Sequence, residues 1–265
     1  NLFIIHINSN SYNTSTSYTY DGSSWTSTPA LQVDRRLCQM LGTQALALMA
    51  GGGTTPPTTG ITASEEWDGS NWSVAGVMNT ARYGMFTGGT QTQAVCAGGT
   101  GPSPGYDDTE EYNGTSWTTV TNMPANQGNG TSGADLQTDM YCVAGGPGNL
   151  TTSLVYDGTN WTSGTSLSGD GRRGCGGAMA TSSSAGFVTC GETATVNPVS
   201  ITEEWDGTSF SSSTACPTAT RDQANGDNGT GAAGLVVGGY NTAITNNVFE
   251  FTGSGIIETR TITAS

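Results

Sequence analysis

Short apolar runs alternating with polar, glycine-rich turns recur along the whole chain. Four of the runs end in paired glycines: Leu48-Met49-Ala50-Gly51-Gly52, Val95-Cys96-Ala97-Gly98-Gly99, Cys142-Val143-Ala144-Gly145-Gly146 and Leu235-Val236-Val237-Gly238-Gly239. Phe187-Val188-Thr189-Cys190-Gly191-Glu192 holds the same place with a single glycine, and Phe3-Ile4-Ile5-His6 opens the series with none. Apolar runs this short, bounded by turn signals, read as strands rather than helices. Downstream of each stands an aromatic, then Asp or Asn, then Gly, then a second aromatic: Tyr20-Asp21-Gly22 with Trp25, Trp67-Asp68-Gly69 with Trp72, Tyr112-Asn113-Gly114 with Trp117, and Tyr156-Asp157-Gly158 with Trp161. Trp205-Asp206-Gly207 with Phe210 and the degenerate Phe251-Thr252-Gly253 with Ile256 complete the set. The Asp-equivalent positions 21, 68, 113, 157, 206 and 252 lie 47, 45, 44, 49 and 46 residues apart. A segment of small and apolar residues precedes each apolar run, as in Arg82-Tyr83-Gly84-Met85-Phe86 or Arg173-Gly174-Cys175-Gly176-Gly177, so each unit supplies four strands.

Asp-Gly or Asn-Gly between two short strands predicts a hairpin with a type I′ turn, whose two central residues both need positive φ. A small four-stranded sheet cannot bury both of its faces alone, and the large rings fill the wedge between neighbouring sheets. Paired glycines let backbones pass closely where the sheets converge on an axis. Radial repetition of such sheets is a β-propeller. The expected fold is all-β, a six-bladed propeller of four-stranded antiparallel blades forming one domain over residues 1–265, with units at about 1–28, 29–75, 76–120, 121–164, 165–213 and 214–265. Unit one lacks its own first strand, and the chain end within Ile256 to Ser265 is expected to pair there, removing exposed edges.

An apolar strand ending in Gly-Gly, followed by Tyr-Asp-Gly and Trp at this period, resembles the kelch repeat. The wording Thr-Glu-Glu-Tyr-Asn-Gly-Thr-Ser-Trp at 109 to 117 is similar to kelch-like repeats of marine bacteriophages. That resemblance implies a structural or host-recognition component of a virion, with other virion proteins or a cell-surface glycan or protein as partners, and a virion or extracellular location. The copper site of galactose oxidase needs more histidine than the one this chain holds, and the Asp boxes of sialidases place a residue between Asp and Gly where here the two are adjacent. No arginine cluster for a sialic-acid carboxylate is evident in the loops. Neither enzyme carries over, and the chain has no room for the second domain of cellular kelch adaptors.

Charge narrows the partners. Seven Arg and no Lys stand against 21 Asp and Glu, a formal charge of −14, and a surface of that sign repels phosphate backbones. Glycine, 40 of 265 residues, is twice as common as usual, which agrees with turns and strands. No apolar stretch reaches the about 18 to 20 residues of a membrane span; the longest comparable run is Leu46 to Ala50. Leu2 to Ile5 has neither a basic flank nor a small-residue cleavage site and reads as a strand, and the lack of an initiator Met points to a processed or partial chain. Cys38, Cys96, Cys142, Cys175, Cys190 and Cys216 show no zinc spacing and read mainly as small buried hydrophobes, with a Cys175–Cys190 bridge across the Thr181-Ser182-Ser183-Ser184 turn as the alternative.

Candidate chemistry is sparse. The acid pairs Glu65-Glu66, Glu110-Glu111 and Glu203-Glu204 recur at one strand position, and successive strand residues point to opposite faces, so they read as structural charges rather than a catalytic pair. The second Glu of the strand (Glu66, Glu111, Glu204, Glu250) accompanies an Arg on the first strand (Arg35 or Arg36, Arg82, Arg172 or Arg173, Arg221), while unit four has Val155 and Asn126; each Arg is expected to neutralise that Glu. The aromatics Trp25, Trp67, Trp72, Tyr112, Trp117, Tyr156, Trp161 and Trp205 read as repeat packing. Calcium ligands would have to come from Asp107-Asp108, Asp139 or the loop Asn225 to Gly229, and His6 reads as a strand residue. No cofactor, metal or catalytic residue is expected. Binding is expected on the loops after the Gly-Gly strands, Thr54 to Thr62, Thr100 to Asp108 and Thr193 to Ser200, stiffened by Pro56, Pro57, Pro102, Pro104, Tyr106 and Pro198. A secreted carbohydrate-binding or carbohydrate-processing propeller is the alternative reading.

Overall fold

The computed structural model describes residues 3–6, 14–54, 59–101, 107–133, 135–179, 185–225, 234–245, 247–251 and 257–261. Strands β1 (Phe3–His6), β2 (Ser17–Tyr20) and β3 (Trp25–Thr28) form the first sheet. β4 (Gln39–Gly42) and β5 (Ala47–Ala50) lead into the two-residue strands β6 (Gly53–Thr54) and β7 (Thr59–Gly60), which pair as a ribbon, and then β8 (Ser64–Trp67) and β9 (Trp72–Val74) complete sheet two in the order β4-β5-β8-β9. Sheet three is β10 (Phe86–Thr90), β11 (Gln93–Ala97), β12 (Thr109–Tyr112) and β13 (Trp117–Thr119). Sheet four is β14 (Thr131–Gly133), β15 (Met140–Val143), β16 (Ser153–Tyr156) and β17 (Trp161–Ser163). Sheet five is β18 (Gly176–Met179), β19 (Gly186–Thr189), β20 (Thr202–Trp205) and β21 (Phe210–Ser212). In the last sheet β22 (Ala224–Asn225) and β23 (Gly234–Val237) are followed by the ribbon β24 (Tyr240–Asn241) and β25 (Ala243–Ile244), then by β26 (Asn247–Phe251) and β27 (Ile257–Thr261). Every strand pairing is antiparallel and joins neighbours in sequence, except that β5–β8 and β23–β26 step over the two ribbons, the signature of radially repeated meanders. The result is an all-β propeller of four-stranded antiparallel blades.

Three details of the sequence reading are corrected. The chain end does not complete the first sheet: β27 pairs with β26, so it is the outermost strand of the last sheet, and among the described residues sheet one keeps three strands. The segment from Arg82 to Met85 is not strand but the approach to β10, so the inner strand starts at Phe86. The Asp-Gly turns are not type I′. Tyr112 pairs with Trp117 across four residues, and among the described turns only the glycine has positive φ, +89° at Gly114. The Asp or Asn side chain does the remaining work by accepting two backbone N–H bonds, at Asn113 from Thr115 and Ser116, both 3.0 Å, and at Asp68 from Ser70 and Asn71, 2.8 and 2.7 Å. This is the Asx-turn geometry for which Asp and Asn are suited.

Neighbouring sheets interlock through the repeat residues themselves. In each hairpin the two rings lie against each other, with centroids 5.0 Å apart for Tyr112 and Trp117. The second ring then reaches the preceding sheet: indole N–H groups of Trp72, Trp117 and Trp161 donate to Ser17 Oγ, Ser64 Oγ and Thr109 Oγ1 at 3.1, 3.2 and 3.0 Å. Tyr20 and Trp25 of sheet one pack in turn with Leu235, Val237 and Val248 of the last sheet, so the first sheet touches both its neighbours.

A two-residue left-handed step ends the second strand in each of the later sheets: Gly51-Gly52, Gly98-Gly99, Ala144-Gly145, Cys190-Gly191 and Gly238-Gly239. The sheet-four pair is therefore one residue earlier than the Gly145-Gly146 of the sequence. The step passes under the next sheet so closely that a Cβ on Gly98 would sit 2.0 Å from the Gln127 carbonyl and 3.0 Å from Met123 Sδ. Gly51 stands in the same relation to Met78, and Ala144 shares a cluster with Leu167. At the fourth such junction the contact is covalent: Cys190 bonds to Cys216, with Cα atoms 6.8 Å apart. The bridge thus joins sheets five and six, and the expected partner, Cys175, is a buried free thiol.

Two outcomes follow from these contacts. Thiol titration of the unfolded, unreduced protein is expected to find the four thiols of Cys38, Cys96, Cys142 and Cys175, and all six only after reduction; six from the start would exclude the bridge. The carboxyls of Asp68, Asp157 and Asp206 are held below their ordinary value, chiefly by the two backbone donors of each turn. A group whose folded value is depressed stabilises above its unfolded value, about 3.9, and loses that contribution as pH falls through the folded one. Asp68→Asn, which copies Asn113, should keep the turn and flatten the loss of melting temperature below about pH 4; an unchanged acid slope would show that the turn charge does not contribute.

Candidate functional site

The acid pairs are where chemistry would be sought first, and the fold takes them up. The first Glu of each pair points inward and is met by an arginine from the approach to the inner strand: Arg35 with Glu65, Arg82 with Glu110 at 2.9 Å and Arg172 with Glu203 at 2.8 Å, all side chains at most 1% exposed. Glu110 also accepts the backbone N–H of Asn79 and Thr80 at 2.6 and 3.1 Å, while Arg82 Nη1 donates to the Asp108 and Gly98 carbonyls at 2.5 and 3.3 Å. Burial of two charges is tolerable only with partners on this scale. The partner of Arg82 is thus Glu110 and not Glu111, because the inward face of the strand carries the first acid of each pair.

The second acids of sheets two and three turn to the neighbouring sheet, while that of sheet five finds its partner just after its own last strand. Glu66 accepts the Tyr112 hydroxyl at 2.7 Å and Glu111 accepts that of Tyr156 at 2.9 Å, while the Ser213 hydroxyl donates to Glu204. Burial, reinforced by the bond to Glu66, pushes the Tyr112 phenol up to about 12. Sheet four lacks the ion pair, yet its arginine equivalent is Gln127, one residue beyond Asn126. Gln127 Nε2 donates to the Ala144 and Thr152 carbonyls at 2.5 and 3.4 Å, and Leu154 fills the place of the buried acid. In the last sheet Thr220 and Phe249 hold the two places, so Arg221 falls one position later and its ion pairs run to Glu192 and Asp222 rather than Glu250.

That later position is shared. Arg36, Tyr83, Gly128, Arg173 and Arg221 each form an antiparallel bridge with the residue after the left-handed step: Gly53, Thr100, Gly146, Glu192 and Tyr240. The residues that follow them, Leu37, Gly84, Asn129, Gly174 and Asp222, all have φ between +51° and +61°. They join head to tail, with N–H to carbonyl distances of 2.9, 2.8, 2.6 and 2.8 Å from Gly84 to Leu37, Asn129 to Gly84, Gly174 to Asn129 and Asp222 to Gly174. A belt of backbone hydrogen bonds therefore runs from sheet two to sheet six, and three arginines stand beside it.

Arg173 and Arg221 flank the nearly buried Glu192, at 2.6 and 3.5 Å through their Nε atoms. Arg221 also reaches Asp222 at 2.8 Å and lies 5.1 Å above the Tyr240 ring. Desolvation lifts the Asp222 carboxyl above its ordinary value; Arg221, Arg173 and Arg36 pull it down and Glu192 pushes it up, which places all of these groups within electrostatic reach of one another. Next to them opens a polar cleft of about 370 Å³ lined by Asn149, Arg173, Glu192 and the loop from Thr193 to Asn197. The loop is held by the Thr193 N–H to the Val196 carbonyl, 2.9 Å, and by the Val196 N–H to Thr193 Oγ1, 3.0 Å. Pro198 follows directly at its edge. Pro56, Pro57, Pro102, Pro104 and Tyr106 lie outside the described residues, as does most of the Asn225 to Gly229 loop. Asp108 of the proposed calcium set accepts the Thr80 hydroxyl at 3.0 Å, and among the described residues no group of three or more His, Cys, Asp or Glu is placed to hold a metal.

Fold and cleft together define a β-propeller with a polar loop face. The solved structure of YjhT is similar to this chain, with a TM-score of 0.76 over 98% of this chain and 94% of that one, at 12% identity, a likeness that concerns the fold alone. No protein family and no curated protein matches the sequence.

The buried ion pair yields a test. Arg82→Met leaves Glu110 charged and unpartnered and is expected to cost about 3 to 5 kcal/mol in urea denaturation. The double replacement Arg82→Gln with Glu110→Leu, which copies Gln127 and Leu154, should recover most of that loss. A double variant as unstable as the single one would show that the two side chains are not energetically coupled.

Proposed function

We propose that the chain is a six-bladed, kelch-type propeller that works by binding rather than by catalysis, as a structural or host-recognition component of a phage virion, with other virion proteins or a cell-surface glycan or protein as its partner. The observation that carries the binding reading is the consumption of the repeated acids: Glu65, Glu110 and Glu203 are spent on buried arginines, and Glu66 and Glu111 on tyrosine hydroxyls. A guanidinium still open to solvent, that of Arg173, lines a polar cleft on the loop face. The virion assignment is supported by the wording of residues 109 to 117.

Mass spectrometry and immunogold labelling of purified particles test it, with the chain expected among the particle proteins; its absence from every particle fraction would exclude the virion role. The polar lining of the cleft favours, as a second reading, a secreted propeller that binds or processes carbohydrate. A glycan array and a hydrolase panel separate the two, because turnover of any glycan would overturn the non-catalytic reading.

A further inference from the structure

The distribution of positive charge is the least expected feature of this molecule. Of seven arginines and no lysine, Arg35, Arg82 and Arg172 are sealed inside ion pairs, and Arg36, Arg173 and Arg221 occupy one repeat position on one face, next to the belt. Two carboxylates, Glu192 and Asp222, stand among those three guanidinium groups, so the cluster carries an excess of one positive charge on a chain of net charge −14. A guanidinium presents five N–H donors. Arg173 spends only its Nε on Glu192, its terminal nitrogens make no hydrogen bond among the described residues, and half of its side chain is exposed at the cleft.

Resting on the binding reading, we propose that this cleft is a site for a small organic monocarboxylate, whose two oxygens take the free Nη edge of Arg173 and whose body lies against Asn149, Thr195 and Asn197. The planar edge of an arginine suits a carboxylate because two parallel N–H bonds can form at once. One excess charge suits a single carboxylate, while the acidic chain as a whole repels a polyanion. Glu192 fixes the guanidinium from its other side, so the edge is oriented before a ligand arrives.

The probes are galacturonate with its neutral counterpart galactose, and N-acetylalanine with its amide, titrated against the whole chain by calorimetry. One of the two acids is expected to bind, with its neutral counterpart at least about tenfold weaker, and Arg173→Gln should weaken the acid by a similar factor with little change of melting temperature, because Arg173 is half exposed and Arg221 still faces Glu192. Binding of galacturonate would assign the carboxylate to a sugar, binding of N-acetylalanine to a peptide chain end. Silence from both acids, equal binding of a neutral counterpart, or unchanged affinity in Arg173→Gln overturns the site. Particles or cells that still bind the Arg173→Gln protein would then show that the recognition reading survives and only this location fails.

Discussion

A guanidinium fully enclosed by protein is the constraint around which each stapled sheet is built. Arg82 lies on the irregular approach to the inner strand, and from there it holds Glu110 on the third strand, the Gly98 carbonyl just after the second and the Asp108 carbonyl just before the third. Three strands and a loop are thereby fixed by one side chain, which a sheet of three- to five-residue strands could not achieve through ladder bonds alone. Where the pair is absent something else takes over. Sheet four replaces it with the neutral Gln127 and with Leu154, and sheet six, with Thr220 and Phe249, is joined covalently to sheet five through Cys216.

Much of this was legible in the sequence, and several of the errors are of one kind. The period and the aromatic-Asp-Gly hairpins are local signals, and they placed the strands. What they did not fix is phase within the unit. Glu110 and Glu111 are adjacent and chemically identical, and only the direction of the strand face decides which meets the arginine. Asn126 and Gln127 were confused for the same reason. The Cys190–Cys216 bridge spans 26 residues and two sheets, yet its signal was present: Cys190 holds the place of Gly51 and Gly98, and Cys216 that of Met78 and Met123, residues that touch at the earlier junctions.

The loop-face cleft was less legible because its lining comes from separate parts of the chain. Asn149 follows the second strand of sheet four, Arg173 precedes sheet five, and Glu192 to Asn197 follow β19. No spacing rule links such residues. Their relation emerges only when the units are laid in structural register, which shows Arg36, Arg173 and Arg221 to be one position written three times.

Among the described residues the first sheet has three strands and holds no station of the belt, which runs from Leu37 to Asp222. Its contacts with its neighbours include ring packing around Tyr20 and Trp25, the Trp72 indole and the short bridge of Thr14 to Arg35. Proteins open by cooperative units of unequal cost. The belt and the disulfide tie sheets two to six into one connected arc, in which opening any sheet means breaking a link to its neighbour.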